Sequence, residues 1–261
     1  MLRAFCIPTF LALALALTPR GAAAQERICG SAPFDAAPEA VGALIAQLEP
    51  VTEAFDSLRR ALDTPGLELC LVRPLFDARG FLEPEATRIV IDADLAPGLR
   101  LAVLVHELRH LQQVSVGVCP GPDLAMRAYA DAVFAMEADA SVTALVVAWD
   151  LREKGQAAMW RALETWPMQE DIAESFAAGM ARGDDPAAAA SAAFDQWYQR
   201  PDRVAAYDRA ACWDYLEAQD RGHLLPSYGA LDPAYYDRLC RLPDGASYDC
   251  ADPRGDGAAA N

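Results

Sequence analysis

The chain has 261 residues, 22 of them basic and 38 acidic, for a net charge of −16, and 53% of its residues are apolar. So acidic a protein has no surplus of cations with which to displace counterions, which argues against nucleic acid and anionic membrane surfaces as partners. The length suffices for one sizeable core or two small ones.

The N-terminus carries Arg3, then the apolar run "FCIPTFLALALAL", then the small-residue stretch "GAAAQ". This pattern predicts a secretory signal peptide cut after Ala24. The run is short for a bilayer span, and no later stretch is expected to be long and uncharged enough for one. The mature protein is therefore expected to be exported, periplasmic or secreted, with no membrane span. Cleavage would remove Arg3, Arg20 and Cys6, leaving 20 basic against 38 acidic residues. It would also leave six cysteines, Cys29, Cys70, Cys119, Cys212, Cys240 and Cys250. An even count in an oxidising compartment predicts three disulfides of unspecified connectivity, and the lack of any C-x-x-C pair disfavours a zinc-cysteine site. One domain is expected over 25–250, followed by a flexible tail over 251–261. The RGD tripeptide in that tail, Arg254 to Asp256, is read as accidental.

Residues 38–63 keep helical spacing through Val41, Leu44, Ile45, Leu48, Phe55, Leu58 and Leu62, with Pro50 as the candidate break. "LELCLV" (67–72) reads as a strand, and residues 78–95 as a hairpin ending in "TRIVID" (87–92). A helix over 99–117, a turn at "CPGPD" and a long helix over 124–153 follow. Residues 166–182, 187–199, 202–220 and 232–240 are alanine-rich and helical, with Pro and Gly as punctuation. The fold class is therefore α+β, mostly α, with a small antiparallel sheet ahead of the helices.

The helix over 99–117 holds two of the three histidines in the chain. Its apolar stripe is Leu101, Leu104, Val105, Leu108 and Leu111, so His106 and His110 lie side by side off that stripe with Glu107 beside them. This is H-E-x-x-H, in which two imidazoles one turn apart grip a zinc ion and the glutamate acts on water at the metal. A catalytic zinc needs a third protein ligand. The metzincin positions for a glycine and a third histidine hold Gln113 and Val116, which leaves a carboxylate from another helix. Glu137 lies at the centre of an otherwise apolar stripe of Ala130, Val133, Phe134, Ala140, Ser141, Ala144 and Ala148, where a carboxylate needs a partner or a metal. Asp131 and Asp139 point elsewhere on that helix and are weaker candidates.

"HELRH" followed some 26 residues later by "EADAS" resembles the gluzincin pattern H-E-x-x-H…E-x-x-A-[D/N] of zinc metallopeptidases, including small bacterial metallopeptidase domains of unknown substrate. The likeness covers roughly residues 79–153. It implies a zincin-like fold, zinc held by His106, His110 and Glu137, Glu107 as general base, and "TRIVID" as the strand lining the cleft. Ser141 departs from the pattern, which has Asp or Asn there to steady a histidine ligand. For the oxyanion partner the residual candidates are His223, the third histidine, and Tyr228. The expected function is hydrolysis of peptide or protein substrates at a zinc centre. The alternatives are a non-catalytic, zinc-stabilised binding module of the cell envelope and a hydrolase of non-peptide amides such as peptidoglycan crosslinks.

Overall fold

The computed structural model describes residues 25–76 and 78–253. The expected signal peptide and the RGD tripeptide lie outside the described residues. The order of elements is β1 (Glu26–Ser31), α1 (Glu39–Ala54), α2 (Asp56–Leu62), β2 (Glu68–Arg73), β3 (Gly80–Glu83) and β4 (Arg88–Asp92). Then come α3 (Pro97–Ser115), α4 (Met126–Glu153), α5 (Ala158–Leu163), α6 (Glu170–Arg182), α7 (Pro186–Trp197), α8 (Pro201–Gly222) and α9 (Tyr235–Leu239). The fold is α+β and mostly helical.

The strands form one sheet in the order β1-β2-β4-β3. The expected hairpin is present, β3 pairing antiparallel with β4, and β1 pairs antiparallel with β2. The sheet is nevertheless mixed rather than antiparallel, because β4 lies parallel to β2 and leaves its hairpin partner β3 on the outer edge. Strand alternation sets the two faces. Leu69, Leu71, Leu82, Ile89 and Ile91 join the main core under the helices, while Cys70, Val72 and Val90 form a small cluster on the opposite face. On that face a disulfide joins Cys29 to Cys70, directly opposed residues of β1 and β2.

Pro50 sits inside α1, and the break between α1 and α2 falls at Phe55, whose extended backbone turns its ring into the core. α4 corrects the expectation that nothing after the N-terminus could span a bilayer. By length and composition it qualifies, but 83% of its apolar window is buried inside the protein. A helix apolar on all sides is what a central core position requires. Its alanines, among them Ala130, Ala138, Ala140 and Ala144, are almost wholly inaccessible and allow α3 to pack close.

A second disulfide joins Cys240 to Cys250 and closes the C-terminal segment. Cys119 is disulfide-bonded, but Cys212 on α8 is a free, half-buried thiol, so the six cysteines do not close into the three pairs expected among themselves.

Candidate metal centre

α3 carries His106 and His110 one turn apart, and α4 packs across it with Glu137 facing them. His106 Nε2 lies 3.4 Å from Glu137 Oε2 and His110 Nε2 3.4 Å from Glu137 Oε1. The two Nε2 atoms are 3.0 Å apart. These donors form a group able to hold a metal ion. Zinc bonds of about 2.0–2.1 Å in tetrahedral geometry place neighbouring donors about 3.4 Å apart. The three observed separations, the two to Glu137 ending on different carboxylate oxygens, come within a few tenths of an ångström of that value. Two imidazoles and one carboxylate also match the donor set of an open, three-protein-ligand zinc site.

The electrostatics of the group favour a positive charge at its centre. Burial by itself would raise the Glu137 carboxyl, but His110 and His106 override it and hold the group well below the ordinary carboxylate range. Burial would lower the His110 imidazole, yet the charge of Glu137 and its hydrogen bond push it up to about 9. Glu107, 5% exposed, is raised by burial and held back by the two imidazoles, and its carboxylate accepts a hydrogen bond from the Leu82 N–H of the edge strand β3.

A cavity of about 560 Å³ opens on this group. His106, Glu107, His110 and Glu137 form one wall, Gly80 and Phe81 of β3 another, and apolar side chains including Val103, Ala144, Leu163 and Trp166 much of the rest. The strand against the cavity is thus β3, not the expected "TRIVID" strand β4, which lies inside the sheet between β2 and β3. Gly80 is required for this approach. A Cβ there would stand 2.5 Å from Val103 Cγ1 and 3.0 Å from the Val90 carbonyl oxygen, so a side chain would push β3 off α3.

Behind the histidines is a buried polar network. His110 Nδ1 lies 2.7 Å from Gln113 Oε1. Gln113 Nε2 donates to the Met136 carbonyl (3.0 Å) and to Asp139 Oδ2 (2.7 Å). Asp139 is wholly inaccessible and also accepts from Arg109 Nε, Arg109 Nη2 and the Tyr248 hydroxyl. Glu137 therefore faces the histidines, and the buried α4 carboxylate that pairs with an arginine, Arg109 of α3, is Asp139. Asp131 pairs with Arg127 at the surface. Ser141, at the position where the gluzincin pattern has Asp or Asn, accepts a hydrogen bond from Gln169 Nε2.

His106, Glu107, His110 and Glu137 are thus brought together, and His223 and Tyr228 are not with them. His223 caps α8 in a left-handed conformation, exposed, and Tyr228 is 90% exposed in the following loop. Neither lines the cavity. The hydroxyl-bearing side chain at the cavity beside the group is Tyr207 of α8, whose pKa is raised by burial and then by the Glu137 carboxylate. Sequence reasoning missed Tyr207 because nothing in "RVAAYDRAACW" marks one tyrosine of an amphipathic helix as facing a site that α8 reaches only in the folded chain.

A family model described as "Putative metallopeptidase family (DUF6782)" matches residues 23–250, and the chain belongs to that family. No curated protein and no solved structure gives a significant match.

Proposed function

With membership of that family as the premise, we propose that the protein is an exported zinc-dependent peptidase acting on peptide or protein substrates. It works as a single unit over residues 25–250, with His106, His110 and Glu137 as the metal ligands. The observation that carries this reading is the convergence of His106, His110 and Glu137, with donor separations of 3.0, 3.4 and 3.4 Å, at the wall of a cavity, with a buried carboxylate, Glu107, beside it. A closed structural site would have no use for such a carboxylate. Export is supported by the N-terminal sequence pattern and by the Cys29–Cys70 and Cys240–Cys250 disulfides.

Zinc bound by these ligands would supply Lewis acidity to the scissile carbonyl and to an attacking water. Glu107 then takes the proton of that water and delivers it to the departing amine, a task suited to a carboxyl whose proton affinity burial raises. Tyr207, in place of His223 or Tyr228, offers a hydroxyl donor to the carbonyl oxygen as negative charge develops there.

The test is zinc content and hydrolysis of a broad peptide library, measured on the same preparations. Glu107→Gln should keep its zinc and fold but lose activity by a factor of about a hundred or more. Tyr207→Phe should keep zinc and lower kcat by about a hundredfold with little change in KM. A wild type without zinc, or a Glu107→Gln protein as active as wild type, refutes the reading.

A further inference from the structure

The Gln113 amide can be oriented without reference to any assigned hydrogen. Its Nε2 stands within hydrogen-bond distance of two pure acceptors, the Met136 carbonyl oxygen and Asp139 Oδ2. A flipped amide would set its own oxygen against both and present hydrogens to His110 Nδ1. The Oε1 atom must therefore face His110, and His110 Nδ1 at 2.7 Å must carry the proton. The far edge of that ring, Nε2, is then turned toward Glu137 Oε1 and His106 Nε2. Asp139 cannot swing away to release the amide, because Arg109 Nε and Nη2 and the Tyr248 hydroxyl hold it. Arg109 is itself anchored to the Leu239 carbonyl and to Gln112 Oε1.

We propose that Gln113 is a positioning residue of the metal centre: its amide, locked by Asp139, fixes the ring orientation and Nδ1–H form of His110 that present Nε2 to the metal. It supplies from α3 the support for which the gluzincin pattern has Asp or Asn at the position of Ser141, whose hydroxyl is instead engaged by Gln169. An imidazole whose other nitrogen is held by an acceptor loses neither orientation nor the correct tautomer when it binds a metal, and removing such an acceptor typically lowers metal affinity about ten- to a hundredfold. The inference rests on the metal-centre reading above, but its first readout needs no metal.

The experiment uses the full mature protein, wild type and Gln113→Leu, a change that removes the amide and leaves both members of the Arg109–Asp139 pair in place. Nitrogen-resolved NMR of the histidine rings should show a His110 Nδ1–H protected from solvent exchange, in both the metal-free and the zinc-loaded wild type. The Leu variant should lose that protection while the His106 signals persist. Chelator competition with zinc alone should then give the variant an affinity about ten- to a hundredfold below wild type. A wild type with no protected Nδ1–H at His110 overturns the proposal even if Gln113→Leu does not fold. A folded Leu variant that binds zinc as tightly as wild type also overturns it. A wild type that shows the protected proton but takes up no zinc supports the orientation by Gln113 and refutes instead the zinc reading on which it builds.

Discussion

Asp139→Ala is expected to be among the most destabilising single substitutions in this chain. Asp139 is fully inaccessible and Arg109 is 3% exposed, so neither charge can turn to solvent when its partner is lost. The substitution removes both bonds from the guanidinium to the carboxylate, the bond from the Tyr248 hydroxyl and one of the two from the Gln113 amide. Arg109 is left with only the Leu239 carbonyl and Gln112 Oε1. Removing one member of a buried pair costs about 3–5 kcal/mol, because the surviving charge stays desolvated and unpaired. In a protein of this size each kcal/mol lowers the midpoint by about 2–4 °C, so a fall of roughly 6–20 °C is expected. Thermal and urea unfolding should be followed with a chelator present, which keeps metal loss out of the comparison. Arg109→Met with Asp139→Leu should be less destabilising than the sum of the single changes by about 1–3 kcal/mol, since the double variant leaves no buried charge. An Asp139→Ala loss under about 1 kcal/mol, or strictly additive changes, would refute the reasoning that this pair is a desolvated, mutually dependent unit.

Gly80→Ala should destabilise by about 1–3 kcal/mol through overpacking against Val103 and lower activity by displacing β3, and Val103→Ala in the same chain should recover much of both, as unfolding curves and peptide cleavage would report. Non-reducing peptide mapping should recover the Cys29–Cys70 and Cys240–Cys250 linkages. Replacing both cysteines of a pair by Ser should cost about 4 kcal/mol for the first, which closes a separation of 41 residues, and about 3 kcal/mol for the second, which closes 10, by loop entropy alone. Equal losses for the two pairs in denaturant unfolding would contradict that ordering.

What the sequence determined by itself is what depends on local periodicity. At 3.6 residues per turn, the spacing of His106 and His110 and the Leu101 to Leu111 stripe require one helix with both imidazoles on one side. The lone carboxylate on the apolar stripe of α4 marks Glu137 in the same way, because burial there demands a partner. The hairpin over 78–95 was equally legible, from a polar turn between two apolar runs. Other features needed the folded chain. Strand β1 offers only Ile28 and Cys29 as apolar signal and exists by pairing with β2, some forty residues away, and the direction of β2 relative to β4 is likewise a matter of non-local pairing. The residues around the histidines divide in the same manner. Asp139 and Gln113 look like ordinary polar positions on their helices, and only the approach of α3 to α4, with Tyr248 more than a hundred residues further on, turns them into a closed network. Tyr207 rather than His223 lies at the cavity because the packing of α8 on α4 decides which of its faces meets Glu137. Helical spacing is set by bonds between residues four apart, whereas a hydrogen-bond partner at long range is chosen by the free energy of packing the whole core, which no short window of sequence contains.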